Sequence, residues 1–411
     1  MPIIEPFRGL RYDKKKVRSL RNVVTPPYDV ISPQGQIQYY KKHPLNFVRV
    51  VFGKELSSDN LKKNRYTRAR ETLEEWIASG ILRFDQEPSL YPYLQEYALG
   101  KRLFRRFGII ALVRLDSPRI LPHEGTREGP MKDRLRLLQT VEASLSPIFG
   151  LIPDLHRRYE NLIAQICRKK RPVASVKVDG ARHLLWQIEE PGQIRKVRNF
   201  LRSKELVIAD GHHRYEASVA YRNLRRQHDP NGSASCAYNF AMFYLASAGK
   251  EEPGLLPTHR LIHRFPHKKL KEFLASMKAQ EKAQPVAGVQ NLVARLARLR
   301  QYRRIGVGLY TGNGTNFLLT AKLNASDDLD VEWLHREIVP EWLGKEVEFS
   351  YTQDLDEGIQ QVRQDKAQLL FILPPPSLAS VMFRARNASR MPGKTTFFYP
   401  KPLAGLVEYK F

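Results

Sequence analysis

The chain has 411 residues, which is too long for a single small hydrophobic core. This length predicts two or three domains. Hydrophobic residues make up 42% of the sequence and aromatic residues 10%, which is ordinary for a globular protein and argues against a largely disordered chain. Lys and Arg number 68 against 42 acidic residues, and the resulting formal charge of +26 favours anionic partners.

The basic residues lie in short runs along the whole chain, without a zinc-finger or basic-zipper pattern. A generally solvated basic surface is therefore as good an interpretation as nucleic-acid binding. The two cysteines, Cys167 and Cys236, give neither a disulfide framework nor metal-ligand spacing. The first residues do not resemble a signal peptide, and no apolar run is long enough to span a bilayer, so we expect a cytoplasmic protein without a membrane partner.

The N-terminal part contains a rigid segment that is a candidate site. Pro26 and Pro27 cannot continue a helix, so they hold Tyr28 and Asp29 at a fixed place. A structural turn and a ligand contact are both open interpretations of this segment. Residues 46–52 then alternate in polarity and predict a strand.

A long hairpin is predicted next, with strands at 91–99 and 104–115. The loop that follows, residues 120–134, is broken by Gly and Pro, and such polar loops often carry sites. His123 and Glu124 supply a candidate acid/base pair there. Further polar side chains of the loop, among them Thr126 and Arg134, are candidates for contacting a substrate or neutralising phosphate; a charged surface loop is the alternative.

Residues 206–217 contain the closest grouping of chemically reactive side chains in the sequence. The apolar run, 206–209, predicts a buried strand, and Gly211 permits a tight turn after it. The periodicity from Arg214 onward predicts an amphipathic helix, closed near Pro230.

Four chemically active side chains fall in this turn between strand and helix: Asp210, His212, His213 and Arg214. The first turn of a helix presents N–H groups and a partial positive charge, and a guanidinium fits phosphate bidentately. The pattern predicts a phosphate or nucleotide site. The alternative is a helix cap at Asp210 beside two surface histidines.

Two further clusters lie in the C-terminal half. The first cluster follows a proline and contains Thr258, His259 and Arg260. The second cluster lies between two prolines and contains Lys394 and Thr395. The second cluster can hold phosphate, although it lacks a P-loop, and a strand fixed by prolines is its alternative.

From about residue 265 onward, helical and strand patterns alternate, which is typical of a separate α/β layer domain. We therefore predict an α/β (α+β) protein with domains at 1–264 and 265–411. We find no internal repeats.

Six motifs in order make nearly the whole sequence similar to the domain-of-unknown-function-1015 family. They lie at residues 26–31, 122–134, 146–149, 210–214, 256–260 and 391–401. The fourth motif, D-G-H-H-R, also resembles the phosphate-binding turn of the ParB/sulfiredoxin superfamily, whose members hold ATP, ADP or CTP. This resemblance implies a nucleotide-binding core in residues 1–264, with an inserted hairpin and helices.

The precedents in that superfamily imply different activities. Sulfiredoxins carry a nucleophilic Cys where this chain has His212, so sulfinic-acid repair is not expected. ParB proteins add DNA-binding helices, and no helix-turn-helix is clearly attached here. The D-G-H-H-R variant looks most like archaeal free-serine kinases, which phosphorylate the hydroxyl of an amino acid.

The leading hypothesis is thus a nucleotide-dependent phosphotransferase that acts on a small hydroxyl substrate. The best single guess for this substrate is free L-serine, and the expected cofactors are ATP or ADP with Mg²⁺. The candidate phosphate-binding residues are Gly211, His213, Arg214, Glu216, Lys394, Thr395 and Lys401. The candidate catalytic residues are Asp210, His212 and a base that is either Glu124 or Asp29, while Asp210 or Glu216 would bind Mg²⁺. The candidate substrate-binding residues are Tyr28, His123, Thr126, Arg134, Thr258, His259 and Arg260.

Two alternatives stay open. A ParB-like regulator would bind a nucleotide and contact DNA, and the positive net charge would serve to attract the DNA phosphates. A phosphatase for phosphoserine-type compounds would use the same site in the hydrolytic direction.

Overall fold

The structure, a computed structural model, describes residues 2–249, 254–312, 316–323, 328–343 and 347–411. Contacts between residues divide the chain into two units. Unit 1 comprises Met1–Pro122, Thr126–Pro253 and Pro400–Phe411, and unit 2 comprises His123–Gly125 and Gly254–Tyr399. This division differs from a boundary after residue 264, because strands at 255–262 pair within unit 2 and the C-terminal end belongs to unit 1.

Unit 1 contains strands and helices in a mixed order. Its strands are β1 (Ile4–Glu5), β2 (Leu10–Tyr12), β3 (Leu82–Phe84), β4 (Tyr91–Leu99), β5 (Arg102–Arg114), β6 (Ile120–Pro122), β7 (Ala143–Ser144), β8 (Ile148–Pro153), β9 (Ala174–Val178), β10 (Ala181–Leu185), β11 (Leu206–Asp210) and β12 (Phe240–Ala248). Its helices are α1 (Leu20–Val23), α2 (Pro33–Lys42), α3 (Val48–Val51), α4 (Arg65–Ala78), α5 (Glu128–Val141), α6 (Arg158–Cys167), α7 (Pro191–Leu201) and α8 (His212–His228), with 3-10 turns at Tyr28–Val30 and Ala237–Asn239. The predicted hairpin and the predicted strand at 206–209 are confirmed as β4–β5 and β11.

Within the described residues, unit 1 contains a nine-stranded sheet in the order β6-β11-β8-β12-β5-β4-β10-β9, with β1 paired to β5. Most neighbouring strands are antiparallel, but β6 runs parallel to β11 and β8 runs parallel to β12. The strand β11 is flanked by β6 and β8, and all five of its residues are buried. Because β11 is paired on both sides and fully buried, its end is a well-fixed starting point for the turn that follows.

The helices α6 and α7 pack against one face of this sheet through apolar side chains. Tyr159 and Ile163 of α6 and Val197 of α7 share a core with Ile208 and Phe243 of the sheet. The buried residues of α6 and α7 recur every three or four positions, which places them on one face of each helix. A second core of unit 1 gathers the first helices around Phe47, Leu73 and Trp76.

Unit 2 and the C-terminal end contain the remaining elements. The strands are β13 (Leu255–Leu256), β14 (His259–Ile262), β15 (Ala283–Val286), β16 (Arg304–Tyr310), β17 (Asn316–Lys322), β18 (Phe349–Thr352), β19 (Leu369–Ile372), β20 (Phe397–Phe398) and β21 (Tyr409–Lys410), and β21 pairs with β7 of unit 1. The helices are α9 (His267–Ala279), α10 (Val289–Arg298), α11 (Asp330–Trp333), α12 (Leu355–Arg363) and α13 (Leu378–Arg386), with a 3-10 turn at Leu299–Tyr302 and a π-helical segment at Leu334–Leu343. None of the helices in the described ranges is both long and apolar enough to cross a bilayer.

The described part of unit 2 is built on a six-stranded antiparallel sheet in the order β15-β17-β16-β19-β14-β18. Leu292 and Leu296 of α10 and Ile359 and Val362 of α12 pack into its core. Helices therefore pack on sheets in both units, and the predicted mixed α/β fold class is confirmed.

The strand predicted at residues 46–52 is wrong. The short helix α3 lies there, and the side chain of Asn46 accepts a hydrogen bond from the N–H of Val48 at 3.0 Å. Val48, Val50 and Val51 are all buried. Burial of β-branched residues and the local hydrogen bond to the Asn46 side chain override the strand propensity of this segment.

Candidate functional site

The turn between β11 and α8 has the geometry that requires a glycine. Gly211 has φ +88° and occupies the N-cap position of α8 without a side-chain cap from Asp210. A Cβ atom on Gly211 would lie 2.9 Å from the guanidinium of Arg214, so that side chain folds back over the turn. Glycine thus serves both the backbone conformation and the close approach.

Three charged side chains form a buried cluster at this turn, called here the Asp210 cluster (Asp210, Arg214 and Lys401). Asp210 Oδ2 accepts a hydrogen bond from Arg214 Nη2 at 2.8 Å, and Asp210 Oδ1 accepts one from Lys401 Nζ. The three residues are 9%, 8% and 9% exposed. Two buried cations share one carboxylate, so the cluster carries an excess of positive charge that suits an anion.

Arg214 is more occupied by protein groups than the sequence suggests. Its Nη1 donates to Ser146 Oγ at 3.3 Å and to the carbonyl of Pro147. Its Nε is buried and has no hydrogen-bond partner among the described residues. The bidentate phosphate fork predicted from the sequence is therefore largely directed at protein acceptors in this structure, and Nε is the guanidinium nitrogen without a hydrogen bond among the described residues.

The side chains around the start of α8 fix the segment that begins at Thr126. Thr126 Oγ1 donates to the carboxylate of Glu216, and the N–H of Arg127 donates to Nε2 of His213 at 3.0 Å. His212 is 7% exposed and is not a surface residue. The two histidines thus belong to the packed start of the helix rather than to a solvated loop.

Tyr28, Asp29 and Arg134 lie in the same unit as the Asp210 cluster. The guanidinium carbon of Arg134 is 3.8 Å from the ring centroid of Tyr28, a cation–π contact. Burial, and then the negative charge of Asp29, raise the pKa of Tyr28 above its usual value, while Arg134 and Arg214 oppose this rise. Asp29 Oδ1 is buried without a hydrogen-bond partner among the described residues, so this carboxylate oxygen has an unused capacity to accept a hydrogen bond.

A cavity of about 50 Å³ in unit 1 is lined by both arginines. Arg134 and Arg214 reach it together with the hydroxyls of Ser146 and Ser218, and the other lining side chains are mostly apolar. At this volume the cavity has room for a few atoms and not for a whole nucleotide. The sequence pattern singled out neither serine; Ser146 sits in a motif, and the hydrogen bond to Arg214 is what reveals it.

Unit 2 holds Glu124 by hydrogen bonds from the segment near residue 394. Its carboxylate accepts from the backbone N–H of Lys394 at 2.8 Å and from Thr396 Oγ1 at 3.3 Å. His123 is fully buried, and its Nε2 lies 3.1 Å from the same Thr396 hydroxyl. The predicted His123–Glu124 pair therefore exists as a fixed polar group within unit 2.

The second group in unit 2 contains Thr258, His259 and Arg260. His259 is 3% exposed, and its Nδ1 accepts from the backbone N–H of Leu373 at 3.2 Å. Burial, and then the charge of Arg260, lower the pKa of His259 to about 4. A ring that stays neutral and bonded to backbone holds the strand end in place, and its predicted contact with substrate stays a prediction.

The predicted site residues are thus divided between the units. Those in unit 1 are Tyr28, Asp29, Thr126, Arg134, Asp210, Gly211, His212, His213, Arg214, Glu216 and Lys401. Those in unit 2 are His123, Glu124, Thr258, His259, Arg260, Lys394 and Thr395.

The two acidic residues considered for Mg²⁺ are both engaged with other groups. Asp210 accepts from two cations, and Glu216 accepts from Thr126. In the described ranges, no group of three or more His, Cys, Asp or Glu side chains is arranged to hold a metal ion. These carboxylates do not fit a resident metal as they stand, and Mg²⁺ entering with the nucleotide stays a prediction.

The sequence matches, over residues 4–336, the family described as "Protein of unknown function (DUF1015)". The chain belongs to this family. No curated protein is significantly similar to it in sequence.

Several solved structures are similar to the chain at low identity. A conserved hypothetical protein from Pyrococcus furiosus is 14% identical, with a TM-score of 0.35, over 71% of this chain and 92% of that one. A free serine kinase in complex with AMP is 12% identical, with a TM-score of 0.36, over 72% and 92%. SbnI with a C-terminal truncation, from Staphylococcus aureus, is 12% identical, with a TM-score of 0.35, over 72% and 85%.

Proposed function

We propose that the chain is a nucleotide-dependent phosphotransferase that acts on a small hydroxyl substrate, with free L-serine as the first acceptor to test. The observation that carries the proposal is the Asp210 cluster, in which two buried cations share one carboxylate at the start of a helix. The resemblance of the D-G-H-H-R turn to nucleotide-binding turns of the ParB/sulfiredoxin superfamily supports the same assignment.

In this proposal, the start of α8 and Lys401 hold the phosphates of ATP or ADP. The N–H groups of a helix's first turn lack partners within the helix and carry partial positive charge, so they favour an anion. Arg214 Nε and the excess charge of the cluster add to this attraction. Phosphoryl transfer needs mainly such positioning and charge stabilisation, which this chain's residues supply without a covalent step.

We assign the proton-accepting role to Asp29 ahead of Glu124. A general base needs a carboxylate oxygen that the substrate hydroxyl can reach, and Asp29 Oδ1 has no partner among the described residues. Both oxygens of Glu124 already accept hydrogen bonds, from Lys394 and Thr396. The charge of Asp29 raises the pKa of Tyr28 and the charge of Arg214 lowers it, so Tyr28 feels both charges.

The test is phosphorus NMR of the full chain with Mg²⁺, ATP or ADP, and a mixture of hydroxyl amino acids and polyols. A new phosphomonoester signal that requires protein, and grows fastest with L-serine, is the expected result. Lys401→Met should weaken nucleotide binding at least tenfold, which is about 1.4 kcal/mol. Arg222→Ala is the control: Arg222 lies on α8 but is bonded to its neighbour Asn223, so this variant should bind nucleotide like the wild type.

The net charge of +26 favours one alternative, a nucleotide-binding regulator that contacts DNA. An intact nucleotide whose signals broaden with protein, combined with salt-sensitive retention on DNA, would replace the phosphotransferase by this regulator. Release of inorganic phosphate from phosphoserine without nucleotide would instead indicate a phosphatase.

A further inference from the structure

Unit 2 contains a small polar cavity that the proposed phosphate site does not use. Its volume is about 20 Å³, and Thr258, Arg260, Asp330 and Thr395 line it together with apolar side chains. A cavity needs roughly 10–15 Å³ to admit one water molecule, so this one accommodates one or two groups of oxygen size. The cavity is therefore far too small for a nucleotide.

Arg260 brings a buried charge to this cavity. It is 1% exposed, its Nη1 donates to the carbonyl of Thr258, and its Nη2 donates to the carbonyl of Lys394 at 3.0 Å. Its Nε is buried and has no hydrogen-bond partner among the described residues. Burial lowers the pKa of Arg260 to about 10, which the charges of Tyr351 and Glu124 only partly oppose.

Thr258 adds a second unsatisfied donor. The residue is 2% exposed, and its hydroxyl has no partner among the described residues. A buried polar group without a partner is destabilising, and such groups in folded proteins call for an explanation. A bound ligand would supply the missing acceptor for both Thr258 Oγ1 and Arg260 Nε.

The other polar groups of the cavity are already satisfied. Asp330 accepts hydrogen bonds from the N–H of Gly306 at 2.8 Å and from Arg300 Nη2 at 2.9 Å, so its charge is neutralised by Arg300. The hydroxyl of Thr395 donates to the carbonyl of Pro392 at 2.6 Å. Two buried donor atoms, Arg260 Nε and Thr258 Oγ1, make no hydrogen bond within the described residues, and beside a guanidinium charge this combination favours an anion with oxygen acceptors.

We propose that this cavity binds the carboxylate group of a small organic acid, with Arg260 Nε and the Thr258 hydroxyl as donors. A carboxylate presents two oxygens, one for Arg260 Nε and one for the Thr258 hydroxyl, whereas a phosphate group presents at least three oxygens. The inference does not rest on the proposed function. The carboxylate belongs either to the phosphoryl acceptor or to a separate effector.

The first experiment measures ligand binding to the full chain without nucleotide, by calorimetry in a buffer free of carboxylates and phosphate. The probes are acetate, L-serine and D-glycerate, with serinol and glycerol as matched compounds that lack the carboxylate. Binding of the carboxylates, and none of serinol or glycerol, is the expected result. Failure of all three carboxylates to bind, or equal binding of the matched compounds, overturns the proposal.

Thr258→Val separates a ligand role from a structural one. Because the hydroxyl has no partner, its removal should leave the melting temperature of the ligand-free chain unchanged or higher, while carboxylate affinity falls about tenfold. Thr352→Val is the matched control, since that buried hydroxyl donates to Glu357 at 2.8 Å. It should lower the melting temperature and leave carboxylate affinity unchanged; a Thr258→Val variant that behaves like this control overturns the proposal.

Arg260→Lys identifies the source of the carboxylate and keeps the two proposals apart. This variant retains the charge but loses Nε, so carboxylate affinity should fall at least tenfold while nucleotide affinity stays that of the wild type. An increased KM for the acceptor with little change in kcat assigns the carboxylate to the substrate, and an unchanged KM assigns it to an effector. Carboxylate binding without any phosphoryl transfer would remove the proposed function alone, whereas transfer without carboxylate binding would remove this inference alone.

Discussion

Lys401 donates a hydrogen bond to Oδ1 of Asp210, although 191 positions separate the two residues along the chain. Arg214, four residues after Asp210, donates to the other carboxylate oxygen. The carboxylate therefore holds two buried cations in place, and the residues 400–411 are fixed to unit 1 at this point. Charges are weakly screened in such surroundings, so the balance within this cluster should dominate both stability and anion binding.

Replacing the shared carboxylate should be more harmful than replacing one cation. Asp210→Asn leaves two buried cations without their carboxylate, and we expect a loss of about 3–5 kcal/mol in the free energy of unfolding. Lys401→Met leaves the Asp210–Arg214 pair intact, so we expect about 1–3 kcal/mol. Urea unfolding of both variants measures the difference, and equal losses would contradict a shared carboxylate.

Gly211→Ala should damage the turn through two separate effects. The left-handed backbone conformation costs a non-glycine residue about 1–2 kcal/mol, and the new methyl group would press on the Arg214 guanidinium. We expect a total destabilisation of about 2–3 kcal/mol, with weaker nucleotide binding. Gly129→Ala is the control, because it lies in α5 with open space around its Cα and should be neutral or stabilising by up to about 1 kcal/mol. Urea unfolding checks both variants.

Local patterns predicted the elements of the site better than its contacts. The strand, the glycine turn and the helix at 206–228 follow from an apolar run, a glycine and a helical period, all of which act over a few residues. The partners of Asp210 and Arg214 come from Lys401 and Pro147, and no local pattern specifies which distant segment meets them.

The misassigned segment at 46–52 has a related cause. Its alternating pattern favours a strand, but the buried valines and the bond from Val48 to Asn46 stabilise a short helix instead. The predicted bidentate contact of Arg214 with phosphate took no account of the residues around that side chain. Three of these residues accept hydrogen bonds from its guanidinium. Tertiary contacts therefore decide what short-range patterns leave open.

Asp29→Asn and Glu124→Gln test which carboxylate accepts the substrate proton. Both changes keep the shape of the side chain and remove its negative charge. If Asp29 is the base, its variant should lose at least a hundredfold in turnover with nucleotide affinity unchanged, in line with the usual contribution of a general base. Glu124→Gln should retain most of the turnover. The reverse result, measured by phosphoryl-transfer rates at saturating nucleotide, would transfer the role to Glu124.

Buried histidines should make the chain sensitive to mild acid. Burial lowers the pKa of His183 to about 3, and burial with Arg260 lowers that of His259 to about 4. An unfolded histidine has a pKa of about 6.5, so below this pH the unfolded chain binds more protons than the folded one. Stability therefore falls as pH falls, from about pH 6.5 down to the folded pKa of each residue, by up to about 1.4 kcal/mol per pH unit for each histidine.

His259→Gln should remove one of these contributions. Glutamine offers an acceptor for the N–H of Leu373 but takes up no proton, so the slope of unfolding free energy against pH should decrease by about 1.4 kcal/mol per unit between roughly pH 4 and 6.5. His228→Gln is the control, because that ring is exposed on α8 and meets water in both states. Urea unfolding at several pH values measures the slope, and an unchanged slope in His259→Gln would show that the folded chain protonates His259 as readily as the unfolded one.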